Sequence, residues 1–422
     1  MSEKNGSKHI AVIGGGIVGL STAWFCQKQG HRVSVVDRKP NQRDGCSFGN
    51  AGMLVPSHVI PLAAPGMIGL GLKWMWNPES PFYIKPRASL DLVRWMWQFK
   101  KSCTREHVER SAPLLRDLHL RSRKLYEQLQ DELPGGFGLK TRGLLMLCKT
   151  AAGLDEEAKT AAKAESLGVP AQVLDSAATA QLDPAIQMDV KGSVFYPKDC
   201  HLSPNRLMHS LQQQLTDAGC EFHWETESLG FTKSASRIDA VVTNRGEITA
   251  DDFVISGGVW STTLGSELGL SLPMQAGKGY SVTVENPAEL PELCSLLHEA
   301  RVAVTPIDGS LRVGGTMEMA GVDESITQSR VKGILQSVPK YFPGLNVADF
   351  ADLPTWSGLR PCSPDGLPYL GRSSRWSNVV ISTGHAMMGI SLAMVSGQLV
   401  SEIIDNQSPS IEGLKLLSPD RY

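Results

Sequence analysis

Three glycines open the chemistry of this chain. Gly14, Gly16 and Gly19 stand in the spacing G-x-G-x-x-G, after the apolar run HIAVI and before IVGLSTAW. The first permits a tight turn after a strand, the second lets backbone approach a pyrophosphate, and the third lets a helix pack closely on the strand. The helix N-terminus behind them offers free N–H groups and a positive dipole end to phosphate. Asp37 follows 18 residues after Gly19, at the end of RVSVVD, where a carboxylate accepts hydrogen bonds from ribose hydroxyls. An acid there argues against a 2′-phosphate. Together these residues point to a bound dinucleotide, without separating NAD from FAD.

The tail STGHAMMGISLAMVSGQ repeats the arrangement. A strand ends in a glycine turn, Gly384 to Gly389, and a helix begins, whose dipole can stabilise negative charge on a reduced flavin ring. Ile390, Met394 and Ile403 also read as an ordinary core face, and the two readings are compatible. In Trp356-Ser357-Gly358-Leu359-Arg360-Pro361, Arg360 is the only charged residue between Asp352 and Asp365. A guanidinium in apolar, Pro-rich surroundings needs an anion. A substrate carboxylate matches its forked donors, and a structural carboxylate serves equally. His58, in an uncharged stretch, and His385, in the C-terminal turn, either touch substrate or are satisfied structural residues. The tryptophan-rich pieces Lys73–Trp76 and Arg94–Trp97 read as core, pocket wall or interfacial membrane contact.

The elements that position these residues follow from periodicity. His9–Asp37 is a βαβ unit, with its helix closed by Gly30, and implies a parallel sheet with a right-handed crossover. Glu106 to Glu132 is a long helix with the stripe Leu114, Leu118, Leu125 and Leu129. Residues 155–168 form another, ended by Gly168 and Pro170, and Leu207–Ala218 a third, followed by the strand CEFHW. VVTN and EITADDFVIS flank a turn at Arg245-Gly246. SVTVE and RVAVTPIDGSLRVGGT read as antiparallel sheet, with a hairpin at Asp308-Gly309. A helix near 325–339, an irregular stretch 353–371, the strand NVVIST and a helix Gly389–Asp405 complete the chain. The class is α/β with an α+β second domain: a nucleotide-binding fold at both ends of the chain and inserted material between.

Composition narrows the function. The 422 residues suggest two domains; 41% are hydrophobic, 20% charged, and the formal charge is −2. Nucleic acid is not the expected partner, because a phosphate-binding surface brings a basic excess. No two of the eight cysteines lie closer than 20 residues, so no CxxC metal or redox pair exists and no metal is expected; the thiols read as mostly free, in a reducing compartment. MSEKNGSK is no signal peptide. Residues 45–72 carry no charge, but Pro56, Pro61 and Pro65 interrupt them, which excludes a spanning helix.

Taken in order, AVIGGGIVGLSTAW, Ser47-Phe48-Gly49-Asn50-Ala51-Gly52, PLAAPG with LKWMW, FVISGGVWS, Lys278-Gly279-Tyr280-Ser281, GLRPCSPDGLPYLG and STGHAMMGIS resemble the FAD-dependent D-amino-acid oxidase superfamily, especially its bacterial D-amino-acid dehydrogenase branch. The resemblance implies a Rossmann-like FAD-binding domain (7–60, 190–268 and 355–422) with an inserted substrate domain on an antiparallel sheet (61–189 and 269–354). It implies non-covalent FAD. Gly14, Gly16, Ile17, Val18 and Gly19 would hold the pyrophosphate, with Asp37 and Arg38 at the adenosine end. Ser47, Asn50, Ala51 and Gly52 would lie along the flavin. Ser228 would meet the adenine side through its backbone, and Gly257, Gly258 and Trp260 would line the cofactor. Gly384, His385, Met387, Met388, Gly389 and Ile390 would form the loop at the ring. Arg360 would grip a substrate carboxylate and Tyr280 would be a second contact, with His58 and His385 as further candidates.

The implied reaction is hydride removal from the α-carbon of a small D-amino acid, giving an imino acid. The segment P-S-H-V-I-P looks like members acting on D-proline derivatives such as cis-4-hydroxy-D-proline, and GHAMMG differs from the loop of many relatives. The resemblance favours a membrane quinone as acceptor and a cytoplasmic protein with a peripheral contact at the inner face of the membrane, through the 61–97 region. Rivals are an oxidase of glycine- or sarcosine-type amines using O2, a non-catalytic flavin-binding subunit, and a nicotinamide-dependent dehydrogenase. GHAMMG and GLRP argue against the last.

Overall fold

The computed structural model describes residues 6–75, 79–350 and 352–422; Trp76 of the first tryptophan-rich piece lies outside them. Strand β1 (His9–Ile13), helix α1 (Ile17–Lys28) and strand β2 (Arg32–Val36) form the expected βαβ unit. They belong to a six-stranded sheet in the order Tyr369–Arg372, Val379–Thr383, Asp252–Ile255, β1, β2, Glu221–His223. All pairings are parallel except that of the Tyr369–Arg372 edge. Near-continuous burial along β1, β2 and Val379–Thr383 explains why these strands read as unbroken apolar runs.

One face of this sheet packs on α1, the C-terminal helix Gly389–Ile404, the long helix Arg105–Glu132 and the helix Pro204–Asp217, around Leu20, Val35, Leu118, Leu211 and Leu399. A Cβ on Gly397 would lie 2.4 Å from Ser21 O, so glycine there lets the C-terminal helix cross α1 at close range. That helix and the turn before it, Ala386–Ile404, are apolar enough to cross a membrane by composition, but 72% buried in the fold. The other face carries a three-stranded meander, Ser228–Ser234, Arg237–Thr243 and Gly246–Thr249, packed through Ile238, Val241 and Leu264.

The second sheet has nine strands. Its main path runs Thr355–Cys362, Gln275–Glu285, Ser310–Met319, Val302–Ile307, Cys294–Leu297, Leu144–Cys148, Gly192–Tyr196, Gln172–Asp175, and Phe82–Ile84 joins beside Ser310–Met319. It is largely antiparallel, with two parallel pairings. The helix Gln328–Tyr341 covers part of one face.

Several expectations shift. The stretch 353–371 is irregular only in part. The turn 363–368 before Tyr369–Arg372 lacks regular structure, and TWSGLRPC is an edge strand, the position at which Pro361 is tolerated in a sheet. That strand and Gly192–Tyr196 pair in the nine-stranded sheet, so the boundaries drawn at 190 and 355 cut across it. The Arg105–Glu132 helix packs mainly with the nucleotide layer, and only Ala112 joins the cluster against the nine-stranded sheet. EITADDFVIS splits between the meander and the parallel sheet. The helix expected to start at 155 starts at Ala151, after Thr150, whose hydroxyl accepts from Gly153 N. Residues 45–72 hold a buried two-residue strand, Met53–Leu54, and the start of a short helix. All eight cysteines are free.

Candidate active site

A cavity of about 710 Å³ runs between the carboxyl ends of the parallel strands and the edge strand Thr355–Cys362. It reaches the point where the chain leaves β1 on one side for β2 and on the other side meets Asp252–Ile255. Ligands of open α/β sheets bind at such a switch point.

At one end the glycine turn is built as its spacing implies. Gly14 has φ +117° and a Cβ there would lie 2.4 Å from Ser256 O; a Cβ on Gly19 would lie 1.8 Å from Gly14 O. Gly16 differs, because the nearest atom to its ideal Cβ is Ser47 Oγ at 3.5 Å. The protein leaves the space over Gly16 open toward the cavity. Gly16 caps α1 with no side-chain hydrogen bond, and Ser47 Oγ accepts from Ile17 N at 3.0 Å. Asp37 Oδ2 accepts from Gly15 N at 2.6 Å and Oδ1 from Lys39 N at 2.8 Å, which fixes the carboxylate at the end of β2. The Arg38 guanidinium stacks 3.8 Å over Trp260. Ser228 and Ser382 line the cavity, and their buried hydroxyls have no partner among the described residues. Open space over Gly16, a fixed acid at β2 and two orphan hydroxyls fit a dinucleotide cofactor.

Two arginines of this region carry no sequence signal. Arg43 is buried, stacks 4.1 Å from Trp224 and donates to Gly15 O at 2.8 Å; burial pushes it down to about 10. Arg312, on Ser310–Met319, donates to Phe48 O and Asn50 O at 2.9 and 2.8 Å. Together with Ser281 Oγ on Gly49 O, it ties the 47–52 loop to the nine-stranded sheet. Asn50 Oδ1 closes the same loop on Gly52 N. Gly52 itself is structural, with φ +74° and a would-be Cβ 2.3 Å from Leu202 O. Neither Gly52 nor Ala51 lines the cavity.

At the other end stands Arg360, on the edge strand. Its guanidinium lies across Gly279 and donates through Nη1 to Thr316 O. Among the described residues it has no carboxylate within salt-bridge distance, so no structural ion pair satisfies it. Burial lowers its pKa, and the side chain lines the cavity. The strand opposite is bulged: Tyr280 pairs with Gly315 and Lys278 with Glu318, leaving Thr316 and Met317 opposite Gly279. Thr316 takes φ +65° at this bulge, which aims its carbonyl at the arginine.

Gly389 and Ile390 line the cavity at the N-terminus of the C-terminal helix, which has no side-chain cap. Tyr126 donates to Ile390 O at 2.7 Å and holds this end in place. His385 lines the cavity, but its Nε2 bonds Ser396 Oγ at 2.8 Å and burial pushes it down to about 4. It is engaged by a hydroxyl of the helix that follows it. Gly384, Met387 and Met388 do not line the cavity; Gly384 has φ +78° against Tyr369, and Met388 packs with Val55 and Val59.

Two candidates fall away from the cavity. Tyr280 is 1% exposed, with its hydroxyl on Glu318 Oε2 at 2.5 Å. Successive strand residues point to opposite faces, so with Gly279 beneath Arg360, Tyr280 faces the core. His58 bonds Ser57 Oγ at 3.0 Å, and Ser57 binds Asp199 through both its N–H and its hydroxyl. It belongs to a buried network behind the site.

The fold and the cavity define a flavoprotein oxidoreductase architecture. The chain belongs to the DAO family, described as FAD dependent oxidoreductase, whose model matches residues 9–403. It is an FAD-dependent dehydrogenase. It is 32% identical over 411 residues to the D-amino acid dehydrogenase of Granulibacter bethesdensis, covering 96% of this chain and 97% of that one. It is 30% identical over 422 residues to the D-amino acid dehydrogenase of Neisseria meningitidis, covering 98% and 99%. Among solved structures, it superposes on glycine oxidase from Geobacillus kaustophilus with TM-score 0.79 at 23% identity, covering 99% of this chain and 100% of the other. L-proline dehydrogenase from P. horikoshii matches with TM-score 0.75 at 19% identity, covering 98% and 97%. These two show the shared fold.

Proposed function

We propose that this enzyme oxidises a small D-amino acid of the D-proline type, such as cis-4-hydroxy-D-proline, and passes the electrons to a membrane quinone from a peripheral position at the inner face of the membrane. The observation that carries the amino-acid reading is Arg360: a cavity-facing guanidinium with a fixed backbone acceptor and no carboxylate of its own. Two full-length relatives named D-amino acid dehydrogenase support the substrate class and favour an acceptor other than dioxygen. The likeness of the P-S-H-V-I-P segment to members acting on D-proline derivatives is what favours the cyclic substrate.

Gly14, Gly16, Ser47, Asp37 and Trp260 would hold the cofactor. FAD, when bound, supplies the acceptor for a hydride leaving the substrate α-carbon. Arg360 takes the carboxylate in a forked pair and fixes the orientation of the α-hydrogen. The amine reacts neutral and releases its proton to solvent, so the imino acid forms without a dedicated base. The uncapped helix N-terminus at Gly389 would offer free N–H groups and a positive dipole end to negative charge on the bound cofactor.

Anaerobic mixing of the holoenzyme with D-alanine, D-proline, cis-4-hydroxy-D-proline, sarcosine, glycine and the L-forms tests this reading. The flavin absorbance should bleach fastest with a D-proline derivative. Bleaching by glycine or sarcosine first, with rapid reoxidation by O2, would favour the oxidase reading. A flavin that none of these reduces would overturn the amino-acid reading.

A further inference from the structure

The C-terminal helix meets the cavity with its first turn. Gly389 and Ile390 line the space, and no side chain caps the helix. Uncapped helix ends fray, and a frayed turn cannot aim its N–H groups at a fixed charge. The turn is held instead by three bonds on two consecutive residues. Tyr126 donates to Ile390 O at 2.7 Å. Ser391 Oγ accepts from Val55 N at 3.0 Å and is hydrogen-bonded to His119 Nδ1 at 2.8 Å.

These bonds come from rigid neighbours. His119 and Tyr126 are buried on the Arg105–Glu132 helix, and a spacing of seven puts them on one face, two turns apart. Val55 follows the strand Met53–Leu54, which pairs with Cys200–His201. His119 is an unusual occupant of its place. It shares the buried side of its helix with Leu115, Leu118 and Leu125, is 1% exposed, and its Nε2 has no partner among the described residues. A buried polar atom without a partner costs stability, so packing alone does not account for an imidazole here. The bond to Ser391 does. Burial, with His58 adding to it, pushes the ring down to about 3, so it acts by position and not by charge.

We propose that His119 is a positioning residue for the flavin end of the cavity: through Ser391 it sets the first turn of the C-terminal helix, and so the reduction potential of the bound cofactor. Negative charge on that cofactor would be held by the N–H groups and the dipole end of this turn. A turn that loses its tether would hold it less, which favours the oxidised form and lowers the potential. The inference rests on the flavin ring lying at this helix end, and not on the choice of substrate.

The test is the midpoint potential of the holoenzyme, read by equilibration with redox dyes, for the wild type and three variants. His119→Leu fills the space and bonds nothing. His119→Asn places an amide oxygen or nitrogen where Nδ1 stands, so the bond to Ser391 is kept in either direction. Ser391→Ala cuts the same bond from the helix side, so a His119→Leu chain that fails to fold does not remove the test. His119→Leu should lower the potential by about 30 mV, a roughly tenfold weaker hold on the reduced form relative to the oxidised one for a two-electron couple. Ser391→Ala should lower it in the same direction. His119→Asn should stay near the wild type, although its smaller side chain leaves a cavity and a less stable protein. Wild-type potentials in His119→Leu and Ser391→Ala overturn the proposal. An equal shift in His119→Asn and His119→Leu also overturns it, because packing and not the bond would then set the potential. No amino acid enters the measurement, so failure of the substrate panel leaves this result readable.

Discussion

An ideal Cβ on Gly279 would lie 2.2 Å from Nη2 of Arg360; the glycine is the floor on which the guanidinium rests. Gly279 pairs with Gly358, and its φ lies outside the left-handed region, so alanine fits the backbone but not the arginine. Gly279→Ala should push the guanidinium off its bond to Thr316 O and away from the substrate carboxylate. A displacement of this size costs roughly 100-fold in kcat/KM, seen mainly as a raised KM, with the flavin spectrum and thermal midpoint near wild type. Steady-state kinetics on the best substrate of the panel decide it. Unchanged kinetics would mean that Arg360 does not grip the substrate.

Gly16 and Gly19 belong to one motif but make different demands. Gly19→Ala collides with Gly14 O and should destabilise the fold. Gly16→Ala meets only Ser47 Oγ at 3.5 Å, so the apoprotein should lose no more than about 1 kcal/mol, the ordinary cost of a change in available space. FAD affinity should fall by roughly tenfold or more, because the methyl occupies the approach of the pyrophosphate. Fluorescence titration of FAD into apoprotein, beside urea unfolding without FAD, separates the two effects. Full affinity in Gly16→Ala would place the pyrophosphate elsewhere.

What sequence reveals here is what local geometry demands. The glycine fingerprint is legible because each glycine answers a steric need within a few residues, and Arg360 is legible because a lone charge in an apolar run must find an anion. Arg43 and Arg312 were illegible. The first acts on a carbonyl 28 residues away and the second on carbonyls 264 and 262 away, and nothing near either position announces those partners. Tyr280 was misread for a related reason. Its neighbour Gly279 touches Arg360, but only the sheet pairing shows which of two adjacent residues faces the cavity. The domain boundaries failed at Gly192–Tyr196 and Thr355–Cys362, strands whose membership is decided by partners far along the chain.

Arg312 offers a test of how the flavin-side loop is held. Its guanidinium is buried, pushed down to about 10, and spent on two backbone carbonyls and on Thr283 Oγ1. Arg312→Met keeps the packing volume but leaves Phe48 O and Asn50 O without their donor. An unpaired buried acceptor costs about 1–3 kcal/mol, so the variant should lose about 2–4 kcal/mol and release FAD faster. Chemical unfolding and the rate of flavin release into excess apo-acceptor measure these. A variant as stable as wild type would mean that other contacts hold the loop.

Asp199 should give the protein an unusual dependence of stability on pH. Burial raises its carboxyl from 3.8 to about 7, against the lowering pull of the Ser57 bonds and of Arg123. The unfolded chain gives up this proton near pH 4 and the folded protein keeps it to about 7. Its contribution to stability is therefore present below pH 4 and lost as pH rises to 7, at about 1.4 kcal/mol per pH unit. His119, His201 and His385 act in the opposite sense. They are pushed down to about 3, 4 and 4, so the stability they add above pH 6.5 is lost as pH falls. Those terms are common to wild type and Asp199→Asn and cancel in the comparison. Asparagine still offers an oxygen to Ser57 N and does not titrate. Relative to wild type, the variant should be about 2–3 kcal/mol more favoured at pH 8 than at pH 5, read from paired urea midpoints. A stability difference that is flat with pH would mean that Asp199 stays ionised in the fold, with Arg123 supplying the missing charge.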